Sequence, residues 1–347
     1  MSNQSALPRI VILGAGLGGT IAAFEIMEAV QGKAHVSVIS DSERFSFLLS
    51  NPWVAIGWRT SDAVQVKLSP VFEKQKIAFT TPSGKRLHSA ENRVKLNDGQ
   101  SVAYDYLVIA TGSDLAFDEI TGLGLDGGYT VSVCKTAHAE DTAKAFESFC
   151  KDPGPIIVGA APGASCFGPV YEFVMILDTE LRRREIRDRV PITLVTPEPY
   201  VGRLGLDGVG DTKSVLESEL RERHIKWTTN AKTTSVEPNM LHADEIGPDG
   251  AVCKTHDVPF KYAMMLPAFR GIPAIFGIEG LTSPRGFVLV DEYQRSKTFP
   301  NIFALGVCVA IPPTGPTPVP VGVPKTCFMI ESMATAIAHN LESLVNG

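Results

Sequence analysis

Residues 9–13, Arg-Ile-Val-Ile-Leu, form a short apolar run rich in β-branched side chains, the pattern of a buried strand. Glycines follow at positions 14, 16, 18 and 19, then a helical stretch from Thr20 to Val30 and a second strand pattern from His35 to Ser40. Tyr104–Gly112 reads as an apolar strand ending in Ala-Thr-Gly, and Pro153–Ser165 as a strand running into another small-residue turn. Beyond it the pattern predicts a long helix over Val170–Arg189, a strand at Ile192–Thr196 and a helix at Val215–His224. Two late strands are predicted at Phe287–Asp291 and Asn301–Gly306, and Pro324–Leu344 ends in an apolar-periodic helix. Strands alternating with helices predict an α/β fold with parallel sheets.

Strand, glycine turn, helix and strand within about thirty residues is the setting in which G-x-G-x-x-G binds a dinucleotide. Gly14 serves the tight turn, Gly16 the close approach of backbone to a pyrophosphate, and Gly19 the packing of helix on strand. The helix start then presents unpaired N–H groups and a positive dipole end. The acidic residue expected at the end of the second strand is displaced: Ser40 occupies its place and Asp41 follows, and either can accept a ribose hydroxyl. Aligning Gly14 with Gly159 puts Ala161 on Gly16 and Ala164 on Gly19, an internal repeat that predicts two nucleotide-type domains in tandem. The second copy carries a methyl at Ala161 and no N–H at Pro162, so it is read as a retained fold without its own nucleotide.

The 347 residues are enough for about two domains, and a formal charge of −6 argues against a nucleic-acid partner. The start, Met1 to Pro8, has neither a basic segment nor an apolar core, so no secretory leader is expected. The uncharged stretch Thr298–Pro324 is long enough to span a bilayer. It contains seven prolines, however, and is read as a strand followed by an extended loop buried in protein. Arg182–Arg189 reads as a solvated charge run. Six cysteines are scattered without a CxxC pair, which disfavours zinc and iron–sulfur sites and leaves redox or nucleophilic chemistry at one or two of them.

Several segments carry more specific information. They are Ser50–Trp58 (SNPWVAIGW), Gly163–Glu172 (GASCFGPVYE), Glu198–Gly205 (EPYVGRLG), Gly286–Lys297 and Pro324–Ser332 (PKTCFMIES). With the glycine-rich turn and the Ala-Thr-Gly strand, they resemble the sulfide:quinone oxidoreductase family across nearly the whole chain. These are glutathione-reductase-like flavoproteins with two Rossmann-like domains, related to flavocytochrome c sulfide dehydrogenase. The resemblance implies an FAD-binding domain formed by residues 1–114 and 287–347, and a second, NAD(P)-like domain at 115–286. It implies FAD held by Gly14, Gly16 and Gly19, with Ser40, Asp41, Asn51, Pro52, Trp53, Thr111, Gly112, Gly306 and Lys325 around it. Sulfide and a quinone are the implied reactants. Cys166 matches the family's central redox cysteine and Cys134 another active cysteine. Lys325 falls where a cation faces the flavin pyrimidine edge. The family's third active cysteine and its membrane-dipping helices follow these segments, and this sequence, ending at Gly347, is expected to lack both. Arg203 stands where the family often has a histidine.

Bottom-up, Cys166 sits just after a glycine turn at a helix start, where the dipole lowers a thiol pKa; the same position also suits a small buried hydrophobe. Cys134 is its expected partner, with Cys327 competing. Glu172, nearly two helical turns on, is a candidate proton carrier or an ordinary surface glutamate. His138, four residues after Cys134, is a candidate relay or a plain polar contact. The expected activity is oxidation of sulfide to persulfide or polysulfide sulfur, with electrons passing from flavin to quinone. Three alternatives remain open: a sulfide dehydrogenase with a non-quinone acceptor, an NADH-dependent flavin reductase, and a non-enzymatic flavin- or sulfur-binding protein. A cytoplasmic chain, peripheral on the membrane or not and able to form a homo-oligomer, fits this reading.

Overall fold

The computed structural model describes residues 7–347, so most of the N-terminal segment read for a leader lies outside the described residues. Among the described residues seven α-helices appear: α1 (Leu17–Val30), α2 (Asn51–Ala55), α3 (Ser69–Lys74), α4 (Thr136–Lys151), α5 (Gly168–Arg183), α6 (Thr212–Glu222) and α7 (Cys327–Asn346). Two parallel sheets organise the chain. The first has five strands in the order 302–304, 106–109, 9–13, 35–39, 78–80. The second has four, in the order 225–228, 192–195, 156–160, 262–266. Their central strands, 9–13, 106–109 and 156–160, are apolar on both faces, as parallel strands covered on both sides must be. On one face of the first sheet, α1 and α7 bury Ala22, Ile26, Ala334, Ile337 and Leu341 with Ile10, Ile12 and Phe303. On one face of the second, α4 and α5 bury Phe146, Phe173 and Leu177 with Val158, Leu194 and Met264. Antiparallel three-stranded sheets, 84–88/93–96/101–103 and 231–237/240–246/252–259, complete the assembly.

The fold is that of a two-dinucleotide-domain α/β protein, but several elements differ from the sequence reading. Phe287–Asp291 is not a strand. Val288 makes single bridges to Thr282 and Val309, and Asp291 Oδ1 accepts from the N–H groups of Tyr293 (2.9 Å) and Arg295 (3.0 Å), folding the chain into a turn. The long helix predicted to Arg189 stops at Arg183. Glu185 takes φ 58°, its N–H reaches Arg182 O, and the Ile186 N–H reaches Leu181 O: a Schellman stop built without glycine. The cause lies outside the helix pattern. Buried Asp178 gathers Arg182 (2.9 Å) and Arg187 (2.6 Å), with Arg223 3.7 Å away, so Arg187 belongs to a buried cluster rather than to a solvated run.

Within the uncharged proline-rich segment, residues 302–305, Cys308 and Val309 are buried, residues 312–314 are exposed, and Val319, Val321 and Val323 are buried again. Helix α2 also crosses an expected boundary. It lies early in the chain, yet Val54 and Ala55, with Ile56 and Val64 beyond it, join the core of the second sheet. Trp58 Nε1 donates to Glu180 Oε2 on α5 at 2.7 Å, fastening the same junction.

Candidate functional site

Parallel strands deliver their C-terminal ends to one edge, and open α/β sheets bind ligands there. At that edge of the first sheet lie Gly14, Thr111, Gly112 and Gly306, each just beyond a strand end. Gly14 has φ +111°, and a Cβ on it would lie 2.4 Å from Ala110 O. A Cβ on Gly19 would lie 1.9 Å from Gly14 O, so only glycine lets α1 sit against the turn. Gly16, the N-cap of α1, is different: a Cβ there would meet nothing within 4 Å. The backbone in front of α1 is an open cradle, and the first N–H groups of the helix have no partner within it. This fits a pyrophosphate.

The second fingerprint is closed. Gly163 N–H donates to Pro320 O at 2.7 Å, and Gly322 N–H donates to Ala164 O at 2.9 Å. A Cβ on Gly322 would lie 2.6 Å from Ser165 Cβ. The proline-rich loop therefore runs over the very turn that a second nucleotide would need. The FAD-loaded protein should consequently show no NADH-dependent bleaching of its flavin under anaerobic conditions. Complete bleaching at micromolar NADH would contradict this.

The sequence-predicted residues fall into three groups. At the first-sheet edge, Lys325 Nζ donates to Val307 O (3.2 Å) and lies 4.2 Å from the centre of the Phe287 ring. Burial pushes its ammonium down to about 8, with the Cys308 sulfur nearby partly opposing that shift. Ser40 is buried and its hydroxyl accepts from Ser42 N–H (3.2 Å), while Asp41 is exposed. From the sequence, Cys308 is expected on an element flanking the flavin, as a stand-in for the third cysteine or, preferably, as a core-packing residue. Its sulfur is fully buried, directed at Leu305 O (3.1 Å) and Ile109 O (3.3 Å), and pushed up to about 11 by burial.

The second group joins the two sheets. Asn51 was expected around the flavin, but its side-chain amide is committed elsewhere. Nδ2 donates to Val133 O (2.9 Å) and Oδ1 accepts from Thr136 Oγ1 (3.2 Å). It thus straps α2 to the segment carrying Cys134. Pro52 lies in the first turn of α2. Trp53 is half-buried against the second core, with the Arg59 guanidinium 4.7 Å from its ring centre. The Trp53 ring helps line a cleft of about 560 Å³ with Phe45, Phe47, Leu49, Val66 and Glu172. Burial raises the Glu172 carboxyl above its ordinary value, as a proton carrier requires. His138 faces another way, with its ring centre 6.0 Å from that of Phe117. Its Nδ1 has no hydrogen-bond partner among the described residues, and burial holds its pKa down.

The third group is the sulfurs. Cys166 lies between the closed second fingerprint and α5, half-buried, and is a free thiol, as are Cys134 and Cys327. Its sulfur is close enough to both for the charges to be felt. The expected helix-start lowering of the Cys166 pKa is not what prevails. Burial pushes this thiol up to about 11, aided by Cys327, and pushes Cys134 up to about 12, aided by Cys166. Apolar surroundings disfavour a thiolate more than one turn of dipole favours it. Alkylation of Cys166 by iodoacetamide should therefore climb about tenfold per pH unit from about pH 7 to pH 10. A plateau in the mass-spectrometric rate near pH 8 would show that the dipole wins.

The Glu198–Gly205 segment, singled out in the sequence without a role for Glu198, rests on a buried carboxylate network. Glu198 accepts from Tyr171 Oη (2.6 Å), Thr196 Oγ1 (2.9 Å) and Leu204 N–H (2.6 Å), while Tyr171 Oη accepts from Gly202 N–H (2.9 Å). It fixes the turn that packs on the proline-rich loop, where a Cβ on Gly205 would lie 2.4 Å from Gly322 O. The buried guanidinium of Arg203 sits in the same turn, 3.4 Å from Thr314 Oγ1. The signal available was Glu198 itself, an acid directly after a strand pattern.

An open dinucleotide cradle on one sheet, a closed one on the other and cysteines at their junction define a flavin-dependent disulfide-type oxidoreductase. Residues 8–327 match the model of the pyridine nucleotide-disulphide oxidoreductase family, to which the chain belongs; FAD is its cofactor. Within that class it is a member of the sulfide:quinone oxidoreductase family. It is 37% identical over 336 residues to the sulfide-quinone reductase of Aquifex aeolicus, covering 96% of this chain and 75% of that one. The crystal structure of the sulfide:quinone oxidoreductase from Aquifex aeolicus superposes with a TM-score of 0.92 at 36% identity, covering 98% of this chain and 77% of that one. The mitochondrial sulfide:quinone oxidoreductase of Schizosaccharomyces pombe is 26% identical, over 85% of this chain and 62% of its own.

Proposed function

We propose that this chain oxidises sulfide at Cys166 and passes the electrons through FAD to a quinone. The observation that carries this reading is Cys166, set directly after a nucleotide turn that the chain itself closes, with free thiols also at Cys134 and Cys327. When bound, FAD supplies a two-electron acceptor that a quinone can then discharge. The chain's own residues do the rest. Gly14, Gly16, Gly19 and the start of α1 hold the pyrophosphate, and Thr111, Gly112 and Gly306 border the same edge. Lys325 brings a cation to that edge. With its pKa near 8 it is mostly charged at pH 7 and loses that charge as pH rises through 8. Hydrosulfide attacks a cysteine disulfide that includes Cys166. The S–S bond breaks, one sulfur keeps the new sulfur as a persulfide and the other leaves as a thiolate, so atoms and charge balance. Glu172, its carboxyl raised by burial, carries a proton at the neighbouring cleft.

Among the described residues no helix is long and apolar enough to cross a membrane. A peripheral contact fits a lipid-soluble acceptor, and Phe47, Leu48, Leu49 and Val66 form an exposed apolar group beside Arg44 and Arg59. Anaerobic titration with sulfide followed by a short-chain quinone tests the function. Bleaching by sulfide and recovery with quinone are expected. Bleaching without recovery favours a non-quinone acceptor, and no bleaching removes the reading.

A further inference from the structure

We propose that the working redox pair of this chain is Cys166 with Cys327, the first residue of α7, and that Cys134 stands behind it as a reserve sulfur. The proposal rests on the sulfide reading above and names its second sulfur. Three observations converge on it. First, the backbone pairing of Pro320 and Gly322 with Gly163 and Ala164 lays the loop leading to α7 directly across the chain leading to Cys166. The close approach of Gly322 to Ser165 and of Gly205 to Pro324 leaves that crossing no slack. Second, Cys166 follows that crossing by two residues and Cys327 by five, so both thiols leave the same crossing, and the Cys166 thiol feels the charge of Cys327.

Third, the two neighbours differ in access. Cys134 sits in a segment strapped by Asn51 and packed on the second core. Cys327 opens a 20-residue helix whose N-cap, Thr326, accepts from Met329 N–H (3.4 Å), next to Phe328, which is 78% exposed. A sulfur that must meet hydrosulfide, release product and shift by a fraction of a turn to close a disulfide is better placed at a free helix start than in a packed core. Burial raises the Cys327 thiol as well, and the N-terminal end of α7 offsets part of that when Cys327 leaves as a thiolate.

The chemistry is balanced as follows. Two thiols, Cys166 and Cys327, lose two protons and two electrons to an oxidant of the quinone or azo class and form one S–S bond. Hydrosulfide then attacks Cys166 Sγ, the bond to Cys327 breaks, Cys166 carries the persulfide and Cys327 leaves as a thiolate.

The pair can be tested without turnover. The purified FAD-loaded chain is treated with dibromobimane, which fluoresces when it bridges two neighbouring thiols, and separately with diamide, followed by non-reducing peptide mapping. A bridged Cys166–Cys327 peptide is expected in both cases. It should persist in Cys134→Ser and disappear in Cys166→Ser, Cys327→Ser and Cys327→Ala. A Cys166–Cys134 bridge, or no bridge, would overturn the proposal. In the kinetic arm, Cys327→Ser should slow sulfide-dependent flavin reduction by about tenfold or more. An unchanged rate in Cys327→Ser with a lost rate in Cys166→Ser would sink the pair and leave the sulfide reading standing. An unchanged rate in Cys166→Ser would sink the sulfide reading itself.

Discussion

Cys166→Ser is expected to abolish sulfide-dependent flavin reduction while leaving FAD bound. Cys166 is the thiol beside the closed nucleotide turn, and a serine oxygen cannot form the S–S bond that hydrosulfide must break. Removing a covalent participant of this kind costs about a thousandfold or more in rate. The variant should fold, because the thiol is half-buried, is a free thiol and is replaced by a near-isostere. Stopped-flow absorbance at the flavin band after anaerobic mixing with sulfide reads the loss, and the visible spectrum of the purified variant reads FAD retention. Peptide mass spectrometry of the sulfide-treated wild type should place the added sulfur on Cys166. Normal reduction by the serine variant would move the chemistry elsewhere.

Gly16→Val should produce a folded, colourless protein. A Cβ at Gly16 meets nothing within 4 Å, and its φ of −71° is open to any residue, so the chain tolerates the side chain. The space it fills is the approach to the start of α1, where the pyrophosphate would accept N–H hydrogen bonds. Losing two such bonds to a charged group, at about 1.5–3 kcal/mol each, weakens FAD binding by about a hundredfold or more. Flavin content and a circular-dichroism melt together check this: no flavin with near-normal melting is expected. Gly19→Ala is the control. Its Cβ would lie 1.9 Å from Gly14 O, a backbone collision, so that variant should lose stability as well as colour. Retained flavin in Gly16→Val would mean that the cradle lies elsewhere.

These two variants also separate what could be read along the chain from what could not. Gly14, Gly16 and Gly19 were legible because each meets a local demand: a positive φ, an open approach, a helix against a turn. The degenerate copy at Ala161 and Pro162 was legible for the same reason. The loop that closes it was not, because the contact joins residues more than 150 positions apart. The overrun of the helix to Arg189 came from reading basic residues as a solvated end, when a buried Asp178 was collecting them. That the Asn51 amide bonds Val133 and Thr136 could not be read from its segment either, because both partners lie more than 80 positions away.

By itself the sequence determined the α/β alternation, the glycine cradle and the candidate cysteines, since strand and helix periods and backbone freedom are properties of neighbouring residues. Tertiary structure decided how strongly each sulfur is protonated and which nucleotide turn stays open. A thiol's pKa depends on the apolar atoms packed around it from distant segments. Burial therefore drives Cys166 up to about 11, although its place near a helix start argued for the opposite.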